Sequence, residues 1–242
     1  MLRAAICDDN KPMLDFLSRK LGEIFEEAEM QCEFSSFISG RDFLVSHTQH
    51  PFDIVFLDIV MPDIDGFEAA KQIRVFSRDT YIIFITTESS LVYDSFDFQP
   101  FYFIPKNKFK VTEEKLRYVV NKLSLHIKAN EKVIIEGAYD SKEVVSPNEI
   151  LYIKSNLNNV EYHFLNGTNH TVRGKLGDIT SGLNTYIFVR THNRFVVNMN
   201  HIDVVDYPNM ELRLINGETV AISRGYKKEF DEAYLRFKRN FS

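Results

Sequence analysis

The chain has 242 residues, of which 44% are hydrophobic and 26% are charged, and its formal net charge is −5. This length suits one large or two modest domains, and we expect two. No apolar run approaches the roughly 18 residues that span a bilayer, and Met1-Leu2-Arg3 leads into a short apolar segment rather than a signal peptide. We therefore expect a soluble cytoplasmic protein without a membrane segment.

The charge is distributed unevenly. Residues 1–127 carry 14 Lys and Arg against 20 Asp and Glu, a net charge of −6, whereas residues 128–242 carry 15 against 14, a net charge of +1. Neither half is strongly basic, so any nucleic-acid function must depend on local clusters. Cys7 and Cys32 lie in separate apolar segments and indicate small buried residues rather than a disulfide or metal site.

Strands and helices alternate through the first half of the chain. Helices are predicted after Asn10, after Ser39 and from Phe67, a weaker one over residues 91–96, and a clear one from Thr112. Apolar runs predict five strands, at residues 2–7, 32–37, 54–57, 81–85 and 101–104. This α/β alternation implies a doubly wound, five-stranded parallel sheet of the flavodoxin-like kind, with helices on both faces.

The pattern changes near Lys128. Asn166-Gly167 and Asn216-Gly217 match two-residue hairpin turns with positive φ at both positions. A short helix is expected over residues 176–183, and a closing helix at the C-terminal end. We predict a first domain over residues 1–127, a polar linker over 128–132 and a mainly β domain over 133–242. Ten β-rich runs support the second domain, at 133–136, 144–145, 150–153, 160–164, 170–173, 187–191, 195–197, 202–207, 211–215 and 219–222.

Acidic side chains follow two strands of the predicted parallel sheet. Asp8 and Asp9 follow the first strand, and Asp58 follows the third. The carboxyl ends of parallel strands share one edge, and a site forms where the strand order reverses, here between strands one and three. Three carboxylates at that place need a cation, and an all-oxygen site favours Mg²⁺. A carboxylate beside Mg²⁺ can accept a phosphoryl group, whose oxygens Thr86 and Lys106, at the ends of strands four and five, can stabilise.

The order and strand-end placement of these five residues make residues 1–127 resemble a response-regulator receiver domain. The resemblance implies that Asp58 is the phosphoacceptor. It also implies that Asp9 and Asp58 hold Mg²⁺ directly, together with the backbone carbonyl of Val60. Asp8 is then expected to act mostly through water.

The same resemblance assigns three residues around the phosphoryl group. It implies that Thr86 supplies the switch hydroxyl, that Lys106 pairs with the phosphate, and that Phe103 is the aromatic residue that reorients on activation. Receivers usually carry proline directly after the lysine, whereas here Pro105 precedes Lys106 and Asn107 follows it. The departure is expected to change the direction of Lys106 and the shape of the adjoining loop, but it does not remove the positive charge of Lys106.

A second resemblance covers residues 133–242. The run FVRTHNRFVVN, residues 188–198, followed by Ile202, resembles the most recognisable segment of LytTR DNA-binding domains. The later run ISRGYKK, residues 222–228, resembles their closing strand-to-helix junction. The resemblance implies a mainly β domain that inserts loops into successive major grooves of DNA.

The residue types in these segments suit contacts with DNA. Asn193 can make paired hydrogen bonds to an adenine edge, and Arg224 can do so to guanine. Phosphate contacts are expected from Arg194, Lys227 and Lys228. The loop over residues 155–159 aligns with another contact loop of the family, with Asn158 as its candidate. His192 is expected to anchor the loop by a hydrogen bond, with a base contact as the alternative, and Arg190 and Asn198 are expected to be loop and packing residues.

Together the two resemblances predict a two-component transcriptional regulator. A sensor histidine kinase is expected to phosphorylate Asp58, and phosphorylation to favour a homodimer that binds double-stranded DNA at direct repeats. A phosphorylation-controlled protein-interaction module without DNA binding is an open alternative. Another is an aspartyl-nucleophile phosphohydrolase, but such enzymes need a second carboxylate where this chain has Val60. We expect no separate enzymatic activity, since a receiver only assists its own phosphorylation and dephosphorylation.

Overall fold

The computed structural model of the chain describes residues 1–106, 111–136 and 142–241. Contacts within the chain divide it into two compact units, Met1–Ser124 and Leu125–Ser242. Among the described residues, no helix is both long enough and apolar enough to cross a bilayer.

The first unit is built on a five-stranded sheet. Its strands are β1 (Leu2–Cys7), β2 (Cys32–Phe37), β3 (Ile54–Leu57), β4 (Tyr81–Thr86) and β5 (Tyr102–Pro105). They lie in the order β2-β1-β3-β4-β5, and every adjacent pair is parallel. The predicted flavodoxin-like sheet is confirmed, and its strand order reverses between β1 and β3.

Helices with capped N-termini connect these strands. The side chains of Asn10, Ser39 and Asp65 each accept a hydrogen bond from a backbone N–H of the first helical turn. Leu17 and Leu21, one helical turn apart, both lie on the buried face of the first helix. The connecting helices are α1 (Lys11–Glu27), α2 (Gly40–Gln49) and α3 (Gly66–Phe76), and a fourth helix, α4 (Glu113–Ala129), follows β5.

The segment between β4 and β5 differs from the prediction. The sequence predicts a helix over residues 91–96, but the structure has two short 3-10 helices, Ser89–Val92 and Asp94–Phe98. Tyr93 and Phe96 are 78% and 62% exposed. The segment therefore buries too little of its aromatic surface to hold a regular helix of this length.

His47 is a buried histidine on α2 whose protonation opposes folding of the first unit. Its Nδ1 accepts a hydrogen bond from the Phe52 amide at 3.3 Å, and its Nε2 has no hydrogen-bond partner in the described part of the chain. Burial lowers the pKa of His47, and the positive charge of Arg3 lowers it further. The unfolded chain therefore binds a proton at His47 more readily than the folded unit does. As a result, the free energy of unfolding falls as the pH decreases through the unfolded histidine pKa of about 6.5.

We expect His47→Gln to reduce the loss of stability between about pH 7 and pH 5, because Gln cannot be protonated there. The measurement is the urea midpoint of the full chain at the two pH values. Burial also lowers the pKa of His163 and His201, but both residues are unchanged in the variant, so the difference isolates His47. The control is His50→Gln at an exposed position, which should keep the wild-type dependence. Equal pH dependence in His47→Gln and wild type would contradict the assignment.

The second unit is mainly β, and each of the ten predicted β-rich runs coincides with a strand. The strands are β6 (Val133–Glu136), β7 (Lys142–Val145), β8 (Ile150–Asn156), β9 (Asn159–Phe164), β10 (Asn169–Arg173), β11 (Phe188–His192), β12 (Phe195–Asn198), β13 (Ile202–Asp206), β14 (Glu211–Leu214) and β15 (Thr219–Ala221). The largest sheet is antiparallel in the order β10-β9-β8-β12-β11. Strands β13-β14-β15 form a second sheet, and β6 pairs with β7.

The two Asn-Gly turns are not two-residue turns with positive φ at both positions, so that prediction is wrong. Only the glycines adopt positive φ, 80° at Gly167 and 87° at Gly217. The side-chain oxygen of Asn166 accepts a hydrogen bond from the Thr168 amide, and Asn216 does the same for Glu218. These asparagines therefore stabilise longer loops through their side chains, as in an Asx turn.

Two helices complete the second unit. Helix α5 (Leu176–Thr180) is shorter than the predicted 176–183, and Gly182, a poor helix former, follows its end. Helix α6 (Lys227–Phe241) closes the unit, and its Phe230 side chain is completely buried in the core. Helix α4 runs on to Ala129, so the first two residues of the predicted linker are helical.

Candidate functional site

The carboxyl edge of the parallel sheet gathers the residues that the sequence predicts there. Asp8 and Asp9 follow β1, and Asp58 follows β3. Thr86 is the last residue of β4, and Lys106 directly follows β5. Because β1 and β3 are neighbours, the acidic residues lie where the strand order reverses, as predicted.

Lys106 bridges two buried carboxylates at this edge. Its Nζ lies 2.7 Å from Asp8 Oδ2 and 2.5 Å from Asp58 Oδ2. The side chains of Lys106, Asp8 and Asp58 are 4%, 1% and 8% exposed. Burial raises the pKa of Asp8, while the hydrogen bond and charge of Lys106 act against that rise. One ammonium group therefore serves two carboxylates that have lost most of their hydration.

The backbone at Pro105 and Lys106 fixes the direction of the Lys106 side chain, although proline here precedes the lysine. Pro105 is the last residue of β5 and pairs with Thr86, and the Lys106 amide donates to the Thr86 carbonyl oxygen at 2.7 Å. The backbone of Lys106 is therefore held on β4 at the residue from which the lysine side chain extends. Asn107, the other residue of the departure, lies outside the described residues.

The three carboxylates can hold a divalent cation. Asp8, Asp9 and Asp58 each offer an oxygen, and these oxygens lie within 4.8 Å of one another. Asp9 is exposed, whereas the other two are buried, so the group opens to solvent on one side. Three carboxylates face the single positive charge of Lys106, which leaves an excess of negative charge. Oxygen ligands and this excess both suit Mg²⁺.

A cleft of about 340 Å³ leads to Asp58. Val60 borders the cleft, and its amide donates to Asp58 Oδ1 at 3.4 Å. The Asp8 carboxylate is held in a similar way, with its Oδ1 accepting from the Asn10 amide at 3.0 Å. The remaining lining side chains come from Asp9, Asn10, Met13, Thr87 and Lys106.

Gly66 allows the loop after β3 to close behind Asp58. A Cβ built on Gly66 would overlap the backbone carbonyl oxygen of Asp58. The Gly66 amide donates to the Ile59 carbonyl oxygen at 2.9 Å, and α3 begins at this residue. The glycine therefore permits a close backbone approach that positions the phosphoacceptor candidate.

Thr86 and Phe103 do not line this cleft. Thr86 is completely buried, and its Oγ1 accepts a hydrogen bond from the Glu88 amide at 3.3 Å. Its neighbour Thr87 lines the cleft instead. Phe103 is half-buried and packs at a tilt against Phe84, with the ring centres 6.5 Å apart. The signal that could have identified Thr87 is its place directly after the last residue of the strand.

The two cysteines have unreactive thiols. Burial raises the pKa of Cys7 and of Cys32 to about 12. Both thiols are therefore protonated near neutral pH and are poor nucleophiles and metal ligands. Cys7 Sγ lies 3.6 Å from Met61 Sδ, in the core beneath the acidic edge.

One end of the largest sheet in the second unit collects polar loops and positive charge. The β8–β9 turn, the end of β10 and the β11–β12 turn all lie at this end, since Arg173 pairs with Asn159 and Phe195 pairs with Lys154. The Ser223 amide donates to the Thr191 carbonyl oxygen at 2.8 Å, which brings the segment before α6 to the same end. We call it the basic end; its cationic residues are Lys154, Arg173, Lys175, Arg190, Arg194 and Arg224.

The β11–β12 turn presents Asn193 on a constrained backbone. The Arg190 guanidinium donates to the carbonyl oxygens of His192 at 3.3 Å and Asn193 at 2.9 Å. His192 Nδ1 accepts from the Arg194 amide at 3.1 Å, so the predicted anchoring role of His192 agrees with its contact. Asn193 and Arg194 are exposed at the tip. The turn is thus held from beneath, while its polar side chains face solvent.

The other DNA-contact candidates differ in how free their side chains are. Arg224 and Asn158 are exposed at the basic end. Lys227 Nζ lies 2.6 Å from Asp231 Oδ2 and stacks over the Tyr207 ring, so a phosphate contact would have to compete with that pair. The Lys228 side chain is 91% exposed, and its Nζ lies 4.0 Å from Glu232 Oε1, a long ion pair that leaves the ammonium group accessible.

Asn198 is completely buried at the end of β12 and is not exposed to a ligand. Its side-chain amide donates hydrogen bonds to the carbonyl oxygens of Pro147 and Ile150, a packing role as predicted.

Comparison with known families assigns both units. Residues 4–120 match the response regulator receiver domain, and residues 140–234 match the LytTr DNA-binding domain. The first match makes the protein a response regulator. Because the two matches together cover most of the chain, it belongs to the response regulators that carry a LytTR DNA-binding domain.

Two LytT proteins of similar length support this assignment. The sensory transduction protein LytT of Oceanobacillus iheyensis is 25% identical over 206 residues, which are 81% of this chain and 83% of the relative. LytT of Bacillus subtilis is 25% identical over 239 residues, which are 95% of this chain and 97% of the relative. Among solved structures, the response regulator TrrA of Thermotoga maritima in complex with Mg²⁺-BeF is 28% identical, with a TM-score of 0.44 over 51% of this chain and 99% of that one.

The function follows from the two domains. A receiver joined to a LytTR domain is a phosphorylation-controlled, DNA-binding transcriptional regulator. Response regulators of this kind work with sensor kinases, and receiver domains in general depend on Mg²⁺.

Proposed function

We propose that Asp58 accepts the phosphoryl group from a phosphohistidine of the partner sensor kinase. One Asp58 carboxylate oxygen attacks phosphorus, the P–N bond breaks, and the electron pair returns to the imidazole nitrogen. The observation that carries this proposal is the bridge from Lys106 Nζ to Asp8 and Asp58 within a group of three carboxylates. Once Asp58 is an acyl phosphate, the same ammonium group can pair with a phosphoryl oxygen.

The acidic residues that surround Asp58 fit a divalent cation. Asp9 and Asp58 would hold Mg²⁺ directly, together with the backbone carbonyl of Val60, and Asp8 would act mostly through water. Bound Mg²⁺ would supply positive charge that offsets the negative charge of the phosphoryl oxygens. Close carboxylate oxygens and an exposed Asp9 support this assignment.

The proposed readout uses residues at the ends of β4 and β5. The Thr86 hydroxyl would leave its contact with the Glu88 amide to bond the phosphoryl group, and Phe103 would reorient into the space released. Support comes from the weak 3.3 Å Thr86 contact and from the half-buried, tilted packing of Phe103. Two domains, residues 1–127 and 133–242 joined by 128–132, would act as switch and output.

The proposed output is a homodimer on direct repeats of double-stranded DNA. Phosphorylation would favour association of receivers, for which the exposed aromatic side chains of Tyr93 and Phe96 offer apolar surface. The protein would work in the cytoplasm, where its DNA lies. No separate enzymatic activity is proposed, because the position that supplies a second carboxylate in aspartyl phosphohydrolases is the apolar Val60.

Base readout is proposed for two exposed side chains at the basic end. Asn193 would bond an adenine edge, and Arg224 would bond a guanine edge in the major groove. Backbone phosphates would be contacted by Arg194, Lys227 and Lys228, with Asn158 as a further contact. The rigid turn beneath Asn193 supports base readout, because a pre-positioned amide loses little conformational freedom on binding.

Asn193→Ala is expected to weaken binding to the preferred DNA by about 10- to 100-fold, because a bidentate base contact is lost. The preferred duplex is first enriched from a random pool with the phosphorylated full-length protein. Affinity is then measured by mobility shift at fixed salt, against that duplex and against a scrambled one. Binding to the scrambled duplex should change little, since phosphate contacts remain.

The control is Asn169→Ala, an exposed asparagine at the opposite end of the same sheet. It should bind the enriched duplex as wild type does. If Asn193→Ala retains wild-type selectivity, Asn193 does not read a base. If no duplex is enriched by the wild-type protein, the DNA-binding function itself fails and the protein-interaction alternative gains support.

A further inference from the structure

Leu157 at the tip of the β8–β9 turn is an apolar residue in an unusual setting. Its side chain is 97% exposed, and its φ of 55° lies in the left-handed region. It is flanked by polar residues in the run Ser-Asn-Leu-Asn-Asn, residues 155–159. The most prominent position of a polar turn is thus occupied by leucine.

This leucine is unfavourable for the fold on two counts. A non-glycine residue with positive φ costs backbone energy that Gly, and to a lesser extent Asn, would avoid. A fully exposed leucine also gains nothing from burial. Hairpin turns of two residues normally place Gly, Asn or Asp where positive φ is needed. Leu157 therefore contributes less to the stability of the turn than the residues usually found there.

The turn that carries Leu157 is held in place by its neighbours. The Gly174 amide donates to the Asn158 carbonyl oxygen at 3.0 Å, and the Ser155 amide donates to the Arg194 carbonyl oxygen at 2.9 Å. The Asn156 side chain donates to Glu161 Oε1 at 2.7 Å. Leu157 is consequently projected into solvent from a fixed backbone.

The position of the turn identifies the chemistry of its partner. The Ser155–Arg194 contact places the turn beside the one that carries Asn193, at the basic end. A surface that combines lysine and arginine with exposed amides suits the polyanionic backbone and base edges of DNA. In the major groove, the apolar feature that a leucine can meet is the C5-methyl group of thymine.

We propose that Leu157 is a specificity-determining residue that packs on a thymine methyl group of the bound DNA. The inference rests on the DNA-binding function proposed above and adds a base contact that is apolar rather than hydrogen-bonded. Burial against the methyl group offsets the exposure of the leucine, and the fixed turn limits the entropy lost on binding.

The test begins with Leu157→Gly, which removes the side chain and suits the left-handed backbone. On the duplex enriched by the wild-type protein, binding should weaken about tenfold, the effect of losing the burial of part of a leucine. The urea midpoint should stay the same or rise, because the strained position is relieved. The matched control is Leu165→Gly, an exposed leucine at the opposite end of the sheet, which should keep wild-type affinity.

Replacement of each thymine in the enriched duplex by deoxyuridine then locates the contact. One replacement should weaken wild-type binding about fourfold, the effect of one buried methyl group, and should leave Leu157→Gly binding unchanged. This lack of additivity is the signature of a direct contact. Leu157→Asn, which replaces the apolar side chain by a polar one that tolerates positive φ, should resemble Leu157→Gly.

Three outcomes would overturn the proposal. Wild-type affinity in Leu157→Gly on an enriched duplex would exclude the contact while leaving DNA binding intact. Equal effects of every deoxyuridine in wild type and variant would exclude the methyl group as its partner. A weakened variant that has lost self-association in sedimentation, with no deoxyuridine coupling, would assign Leu157 to contact between two copies of the chain. Failure of the wild-type protein to enrich any DNA would instead refute the proposed function on which the inference rests.

Discussion

Asp58→Asn is expected to abolish covalent phosphorylation of the chain. A small-molecule phosphodonor with Mg²⁺ should label the wild-type protein to near stoichiometry, and intact-protein mass spectrometry should detect no label on the variant. An amide cannot form the acyl phosphate that a carboxylate forms. The substitution is almost isosteric and keeps an oxygen that Lys106 can contact, so the fold should be retained.

The matched control is Asp63→Asn in the loop after β3. Asp63 is exposed and has a φ of 67°, a conformation that Asn tolerates well. It should be labelled as wild type is. Stoichiometric labelling of Asp58→Asn would contradict the assignment and would move the phosphoacceptor to another carboxylate, with Asp9 the first to test.

Lys106→Met is expected to destabilise the first unit by about 3 kcal/mol in the presence of a chelator, because Asp8 and Asp58 would then be buried together without a counter-charge. Mg²⁺ should stabilise this variant more than it stabilises wild type, since a divalent cation replaces the lost positive charge. The measurement is urea unfolding of the full chain followed by far-UV circular dichroism, with chelator and with Mg²⁺.

Lys11→Met is the control for a lysine that pairs at the surface. Lys11 Nζ lies 2.8 Å from Asp15 Oδ1, but both side chains are more than 60% exposed, at 66% and 63%. Exposed pairs contribute little, so this variant should unfold close to wild type under both conditions. Equal stability of Lys106→Met and wild type in chelator, or equal stabilisation of the two by Mg²⁺, would contradict the buried bridge.

The acidic edge could be predicted from sequence because parallel strands impose it. Once the strands before Asp8 and Asp58 are recognised, their carboxyl ends must share one edge of the sheet. The same argument brings Lys106 there from the end of β5. Sequence order therefore determines which residues can meet in a site of this kind.

The directions of the individual side chains could not be predicted in this way. Thr86 and Thr87 are both threonines at the end of β4, yet only Thr87 lines the cleft, because Thr86 is completely buried and its Oγ1 accepts a hydrogen bond from the Glu88 amide. The bridge made by Lys106 likewise depends on the Thr86 carbonyl that anchors its backbone. Such contacts follow from tertiary packing and have no local sequence signal.

The sequence likewise predicts some features of the turns in the second unit and misses others. Asn-Gly pairs correctly mark hairpin loops at residues 166–167 and 216–217, but side-chain hydrogen bonds from the asparagines select a longer loop form. The two-residue turn is instead at Leu157-Asn158, which is not one of the residue pairs typical of such turns. Its left-handed leucine is visible only in the folded chain.

One measurement tests most directly whether phosphorylation of Asp58 controls DNA binding. The affinity of the full-length protein for the enriched duplex is titrated at fixed salt, with and without phosphodonor, for wild type and for Asp58→Asn. Phosphodonor should raise wild-type affinity by about tenfold, a coupling typical of allosteric control, and should leave Asp58→Asn at the unphosphorylated level. Wild-type affinity that does not respond to phosphodonor, or an equal rise in Asp58→Asn, would contradict control of the LytTR domain by Asp58.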